Sequence, residues 1–156
     1  MTLQINSLNG QWALRENNKG KTFSATVPGD VHGDLLSEKH IEDPFFRMNE
    51  EQIHWIGESN WNYSRSFNVT KDLFHKPNIL LRCKGLDTFA TIKINGSIIA
   101  TTDNMFRTYE WDIKPYLEKG KNTFSVNFES VIPYIKKKSS EYPDWTPMNF
   151  TNLYYG

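Results

Sequence analysis

Acidic side chains are the first candidates for chemistry in this chain, because two carboxylates held a fixed distance apart can act as general acid and base. Glu50 and Glu51 are adjacent and follow Asn49, which is typical of a helix start, so their side chains would point apart. Other acidic residues lie in loop contexts, where a carboxylate usually binds nearby backbone N–H groups: Asp43, Asp87 and Asp103. The sequence therefore predicts no catalytic residue in this chain.

Metal and phosphate chemistry find no support in the residue spacing. The histidines have no ligand-like spacing, since the nearest two are eight positions apart: His32, His40, His54 and His75. The single cysteine, Cys83, excludes a disulfide within the chain, and its leucine neighbours favour a small buried side chain. Gly20-Lys21-Thr22 lacks the earlier glycine of a phosphate-binding loop, because Arg15 stands there. We expect neither a metal nor a cofactor.

Arg65 is the most unusual polar residue, because the alternation of residues 60–69 places it on an apolar strand face. The residues that share this face are Trp61, Tyr63, Phe67 and Val69. One interpretation is an arginine at the rim of the sheet that stacks on a ring or pairs with a carboxylate. The other is a contact with an active site or a neighbouring domain.

The elements that would position these residues are short strands. Alternation also marks residues 23–27, 89–94 and 124–128, and the apolar run 79–83 predicts a more central strand. Asn95-Gly96 between two such segments predicts a two-residue hairpin turn. Helix signals are few: Asp30 could cap one helix, Asn49 could begin another, and residues 136–140 are predicted to form an exposed connection. The pattern predicts an all-β sandwich with one or two short helices.

Composition excludes several classes of function. The 18 basic residues balance 18 acidic ones, so no net field attracts nucleic acid or an anionic membrane. No apolar run approaches the roughly 20 residues that span a bilayer. Because the first residues lack the pattern of a signal peptide, a cytoplasmic location is favoured. Aromatic residues make up 14% of the 156 residues, and such rings fill a core, line a sugar site, or do both.

Motifs spread along the chain match a known family in the family's order. The first three are Leu-Asn-Gly-Gln-Trp at 8–12, Val-Pro-Gly-Asp-Val-His at 27–32 and Asp-Pro-Phe-Phe-Arg-Met-Asn at 43–49. The others are Asn-Trp-Asn-Tyr-Ser-Arg-Ser-Phe at 60–67, Gly-Leu-Asp-Thr at 85–88, Thr-Asp-Asn-Met-Phe at 102–106 and Trp-Asp-Ile at 111–113. With these motifs the chain resembles the N-terminal sugar-binding domain of β-mannosidases in glycoside hydrolase family 2.

The resemblance implies a jelly-roll β-sandwich of the galactose-binding-like type over residues 1–143, followed by a tail, 144–156, that leads to the rest of the enzyme. In that parent an immunoglobulin-like domain and a (β/α)8 barrel follow, and the barrel carries both catalytic glutamates. The parent would hydrolyse terminal β-D-mannose residues, with β-mannosides or manno-oligosaccharides as substrates. This chain alone is then expected to be inactive.

The resemblance also suggests which residues contact other molecules. Asn60 and Trp61 correspond to a region that sends an amide toward the active site in related β-galactosidases, and Arg65 is the third candidate for substrate binding. For Trp61, a ring packed in the core is the alternative. A second group is expected to dock the following domains: Asn104, Met105, Phe106 and Trp145. For the loop around Asn104, the alternative is a turn with a local Asn hydrogen bond and a buried Phe.

Two other functions remain open at this stage. The chain could be a free-standing carbohydrate-binding module with its own aromatic surface. It could also be a structural domain whose apolar patch docks the catalytic barrel without touching sugar. Binding of manno-oligosaccharides by the chain would separate these two alternatives.

Overall fold

The computed structural model describes residues 4–17 and 20–141, and strands dominate this part of the chain. The strands are β1 (Gly10–Glu16), β2 (Thr22–Val27), β3 (Trp61–Val69), β4 (Leu80–Lys84), β5 (Ala90–Ile94), β6 (Ser97–Thr102), β7 (Thr108–Asp112) and β8 (Gly120–Phe128). Six of them form an antiparallel sheet in the order β2-β1-β3-β8-β5-β6, and β4 pairs with β7 in a second sheet. One hydrophobic core includes buried residues of both sheets. This arrangement confirms the prediction of a β-sandwich of the jelly-roll type.

Strand β3 follows the alternation of its sequence. Trp61, Tyr63 and Val69 are buried, whereas Ser66 and Asn68 are exposed. The whole strand pairs with β8, from Trp61 opposite Phe128 to Val69 opposite Gly120. Because β1 pairs on its other side, β3 lies in the middle of the large sheet.

The hairpin between β5 and β6 confirms the turn predicted from Asn95-Gly96. Both residues have positive φ angles, 50° and 82°, as a two-residue hairpin turn of the primed type requires. Asn and Gly are the residues that adopt this conformation at the lowest cost.

The prediction of a central strand at 79–83 is wrong. In the described part of the chain β4 pairs with β7 alone, and the side chain of Leu80 is 61% exposed while Leu81 is buried. The apolar run therefore alternates between core and surface. Its partner strand β7 was not predicted from the sequence. In β7, Tyr109 and Trp111 are half-buried and stack on each other with ring centroids 5.5 Å apart.

Helices are more numerous than the one or two expected. The described residues form α1 (Val31–Ser37), α2 (His54–Glu58), α3 (Lys71–Phe74) and α4 (Ile132–Glu141), together with two 3-10 turns, Asn49–Ile53 and Lys114–Tyr116. Asp30 caps α1 as predicted, because its carboxylate accepts a hydrogen bond from the backbone N–H of Gly33 at 3.0 Å.

Helix α4 corrects the prediction of an irregular connection at residues 136–140. The lysines of this segment are exposed, but they lie on a helix whose first residue, Ile132, is buried. Tyr134 also anchors the helix, because its ring lies 5.0 Å from the ring of Phe89. The polar composition of 136–140 hid these anchors, which lie before it in the sequence.

A buried carboxyl group connects α1 to the large sheet. Asp34 accepts hydrogen bonds from the backbone N–H of Thr26 and from the hydroxyl of Tyr63, each at 2.9 Å. Burial raises the pKa of Asp34 above its ordinary value, although both hydrogen bonds act in the opposite direction. The contact joins a helix, an edge strand and the central strand.

A pair of asparagines, Asn95 and Asn122, forms a hydrogen-bond network near the start of β8. Asn122 is 1% exposed, and its Oδ1 accepts from Asn95 Nδ2 and from the backbone N–H of Glu118, both at 2.8 Å. Its Nδ2 donates to the carbonyls of Glu118 and Gly120 at 2.8 and 2.9 Å. Asn95 in turn binds the backbone of Tyr116 and Thr123. The hairpin turn is thereby fastened to the loop before β8.

Some expectations lie outside this description. Trp145 and the predicted boundary at residue 143 fall within 142–156, which the structure does not describe. None of the helices in the described ranges has the length and apolar character needed to cross a membrane. Within the same ranges, no three His, Cys, Asp or Glu side chains are grouped so that they could hold a metal ion.

Candidate functional site

The antiparallel order brings four strand termini together at one end of the large sheet. Trp61, at the start of β3, lies opposite Phe128, at the end of β8. Ala90, at the start of β5, lies opposite both Phe128 and Thr102, the last residue of β6. We call this region the cleft end of the sheet. The loops that carry Asn60 and residues 103–107 both begin or end here.

Asn60 is fastened at the cleft end by three hydrogen bonds. Its side-chain Oδ1 accepts from the backbone N–H of Ser130 at 2.7 Å. Its backbone N–H donates to Asn17 Oδ1 at 3.0 Å, and its carbonyl accepts from the N–H of Asn17 at 2.7 Å. The amide nitrogen of Asn60 has no hydrogen-bond partner within residues 4–17 and 20–141. A held amide with an unused donor is therefore present at the residue for which the family resemblance suggests a substrate contact.

Trp61 lies in the core rather than on the surface. Its ring is 4% exposed, and the indole N–H donates to the carbonyl of Ile56 at 2.8 Å. The ring centroid of Trp55 lies 5.8 Å from that of Trp61. A row of ring contacts then leads from Trp55 to His40 and from His40 to Phe23. This placement matches the alternative of a core ring, and it fixes the residue that follows Asn60.

Arg65 lies farther along β3, four residues or about 13 Å from Trp61. Its Nη1 donates to the carbonyls of Leu8 and Asn9 at 2.7 and 2.6 Å. The guanidinium group therefore holds the segment that enters β1. Its partners are backbone carbonyls, which neither of the two interpretations from the sequence included.

The loop at residues 104–106 combines a local hydrogen bond with exposed apolar side chains. Asn104 Oδ1 accepts from the N–H of Phe106 at 2.9 Å, and the Asn104 carbonyl accepts from the hydroxyl of Tyr109 at 3.1 Å. Met105 is exposed, and the ring of Phe106 is 89% exposed. The turn thus has the Asn bond of one alternative and the exposed Phe that docking requires.

A cleft of about 350 Å³ opens at the same end of the sheet. Its walls are Phe89, Ala90, Thr91, Thr101, Thr102, Asp103 and Glu129. Asp103 precedes Asn104, and Glu129 precedes Ser130, which binds Asn60. Two residues proposed from the sequence, Asn60 and Asn104, are therefore connected to the lining without being part of it: Asn104 follows Asp103, and Asn60 binds the residue after Glu129.

A second exposed apolar loop was not singled out as functional by sequence reasoning. Phe45 is 97% exposed, and Phe46 and Met48 are exposed beside it. Asp43 orders this loop, because its carboxylate accepts from the N–H of Phe45 at 2.9 Å and its carbonyl accepts from the side chain of Asn49 at 2.9 Å. Two phenylalanines after a proline, without strand or helix periodicity, were the signal that could have revealed it.

Cys83 was predicted to be a small buried side chain, and the structure buries it only in part. The side chain is half-buried in β4, and burial raises the pKa of its thiol to about 11. A thiol with this pKa stays protonated at neutral pH and is a poor nucleophile. Cys83 therefore contributes packing.

The family model described as "Glycosyl hydrolase 2 galactose-binding domain-like" matches residues 12–154. The β-mannosidase of Bos taurus is 35% identical over 92% of this chain, and a probable β-mannosidase of Caenorhabditis elegans is 31% identical over 96% of it. The solved β-D-mannosidase of Dictyoglomus thermophilum is 35% identical over 90% of the chain, with a TM-score of 0.86.

The chain spans 16–17% of the length of each of these relatives. The similarity therefore concerns one domain of much longer enzymes. It confirms the family resemblance drawn from the motifs, and the motifs from residue 12 onward all lie within the matched range. The chain belongs to the galactose-binding-like domains of glycosyl hydrolase family 2.

Proposed function

We propose that this chain is the non-catalytic sugar-binding domain of a β-mannosidase. The observation that carries the proposal is the similarity to β-mannosidases across 92% and 96% of the chain, at 35% and 31% identity. The parent enzyme would hydrolyse terminal β-D-mannose residues, and an immunoglobulin-like domain and a barrel with both catalytic glutamates would follow. Residues 1–143 would form the jelly-roll domain, and 144–156 would lead into the rest of the enzyme.

In this proposal the cleft end of the sheet faces the barrel. Asn60 is the residue that contacts substrate, because its amide nitrogen is held in place with a donor to spare. Trp61 positions it from the core through its bond to Ile56. Substrate contact by Arg65 stays a prediction that would have to use guanidinium N–H groups other than those bound to Leu8 and Asn9.

Docking on the barrel is assigned to Asn104, Met105, Phe106 and Trp145. A phenylalanine ring that is 89% exposed contributes almost nothing to the stability of the isolated domain. The same ring would be stabilising once a neighbouring domain covers it. The hydrogen bond from the Phe106 N–H to Asn104 fixes the turn that presents the ring.

A domain exchange tests the function. We expect a chimera in which this chain replaces the matched region of the Dictyoglomus thermophilum β-D-mannosidase to hydrolyse p-nitrophenyl β-mannoside, while the 156-residue chain alone does not. The reason is that the catalytic pair would come from the barrel and the pocket wall from this chain. Turnover by the chain alone would contradict the proposal. So would a folded chimera that hydrolyses other β-glycosides but not the β-mannoside.

The docking role predicts an effect that appears only when the barrel is present. Phe106→Ser is expected to lower the melting temperature of the chimera by several degrees and to leave that of the isolated chain unchanged. Ile98→Ser is the control, because Ile98 is 60% exposed but lies beside the hairpin turn at the other end of β6. Equal shifts for the two variants in the chimera would contradict docking through Phe106.

A further inference from the structure

We propose that the cleft between Asp103 and Glu129 is itself a carbohydrate site that binds one pyranose unit of a manno-oligosaccharide. The two carboxylates would accept hydrogen bonds from sugar hydroxyls, and the ring of Phe89 would contact the sugar's C–H face. The choice of mannose rests on the function proposed above. The existence of the site rests on the cleft alone.

The charge state of the cleft selects the type of ligand. Asp103 and Glu129 are exposed, and neither carboxylate has a hydrogen bond or an ion pair within the described residues. Carboxylates supply acceptors and no donors, so the ligand must bring hydrogen-bond donors and must not be anionic. Sugar hydroxyls satisfy both conditions, and hydrogen bonds to ionised acceptors are about twice as strong as neutral ones.

Threonine hydroxyls complete the polar lining. Thr91 on β5 lies opposite Thr101 on β6, and their neighbours Ala90 and Thr102 are buried. Alternation along the strands therefore directs both hydroxyls to the outer face of the sheet. A hydroxyl both donates and accepts, which suits the neighbouring hydroxyls of a sugar ring.

An aromatic wall and a suitable size accompany these polar groups. Phe89 is half-buried, and its ring is held against Tyr134, with ring centroids 5.0 Å apart and planes inclined by 58°. The apolar face of a pyranose packs well on such a ring. The volume of about 350 Å³ lies at the small end of the range for small-molecule sites, which suits a single sugar unit.

The sheet keeps the site preformed. Strand β5 is paired on both sides, to β6 and to β8, and the backbone N–H of Glu129 donates to the carbonyl of Phe89 at 2.9 Å. This bond fixes the Glu129 side of the cleft to Phe89 before any ligand arrives. A preformed site loses little affinity to ordering.

A divalent cation is a less suitable ligand for this cleft. Calcium takes six to eight oxygen ligands, whereas the cleft offers two carboxylates. In the described ranges no third acidic or histidine side chain joins them in a metal-binding group. We therefore assign the site to a neutral sugar.

Titration of the 15N-labelled chain with mannotriose, followed by amide NMR shifts, tests the proposal. We expect saturable shifts at residues 89–91, 101–103 and 129, with a dissociation constant in the millimolar range, and no change when EDTA is added. The double variant Asp103→Asn, Glu129→Gln is expected to bind at least ten times more weakly, because two charged acceptors are lost. Thr101→Val supplies a second variant, which should weaken binding without changing any charge.

The matched control is the double variant Glu42→Gln, Glu118→Gln, which removes two exposed carboxylates outside the cleft and should keep its affinity within twofold. Absence of saturable shifts at the cleft would overturn the proposal. So would binding that both cleft variants leave unchanged, or binding that EDTA abolishes. None of these results would bear on the chimera, whose turnover of the β-mannoside judges the proposed function separately.

Discussion

Asn122→Ala is expected to lower the free energy of unfolding by about 3–5 kcal/mol, because it removes four hydrogen bonds made by a fully buried amide. The side chain is 1% exposed and makes four hydrogen bonds. Its loss removes the side-chain partner of the N–H and carbonyl of Glu118, of the carbonyl of Gly120 and of one N–H of the Asn95 amide. Asn95 keeps its bonds to Tyr116 and Thr123, so part of the turn would remain ordered.

Urea unfolding measures this effect, and two further variants sharpen it. Asn68→Ala removes an exposed asparagine from the neighbouring strand and should change the stability by less than about 0.5 kcal/mol. Asn122→Asp keeps the shape but turns a carboxylate oxygen toward two carbonyls, so this variant should be least stable at neutral pH and recover when acidified. A loss at Asn122→Ala no larger than that of the control would show that water or backbone replaces the amide.

Asp34→Ala is expected to cost about 2–4 kcal/mol, since it removes the acceptor of both Thr26 N–H and the Tyr63 hydroxyl. Tyr63→Phe removes one of these bonds and should cost about 1.5–3 kcal/mol. In a double-mutant cycle the two changes should be strongly non-additive, because they share one contact. Additive losses would contradict the hydrogen bond between the two side chains.

The ionisation of Asp34 gives a prediction of opposite sign to that of most carboxylates. Burial raises its folded-state pKa above the ordinary value of 3.8. A group with a raised pKa adds stability below the unfolded-state pKa and loses it as the pH rises through the folded-state pKa. Wild type should therefore become less stable relative to Asp34→Asn as the pH rises from the ordinary pKa of 3.8 through the raised pKa of the folded state. Unfolding curves of both proteins across this range check the sign, and the reverse trend would contradict it.

Local signals predicted the parts of the fold that depend on neighbours in the sequence. The alternation at 60–69 became β3, and Asn95-Gly96 became the hairpin turn, because strand period and positive φ are properties of a few adjacent residues. The prediction of a central strand at 79–83 failed because the position of β4 depends on its pairing with β7, far along the chain, and on which face the core covers.

The residues of the candidate site also fall into those that the sequence could suggest and those that only the fold brings together. Asn60 and Phe106 could be proposed from motifs, whereas Asp103 and Glu129 line one cleft only because Ala90 lies between Thr102 and Phe128 in the sheet. The partners of Arg65 were also beyond prediction. They are backbone carbonyls, which every residue carries and no sequence pattern distinguishes.

The loop that presents Phe45 and Phe46 carries a cost for the domain on its own. Asp43 and Phe46 hold its backbone through hydrogen bonds, and the loop leaves the ring of Phe45 97% and that of Phe46 57% exposed. Released from any covering surface, such a loop promotes self-association as concentration rises. The ordered loop therefore lowers the solubility of the separated domain. The same order would let a neighbouring domain cover the rings without a loss of free energy from ordering the loop.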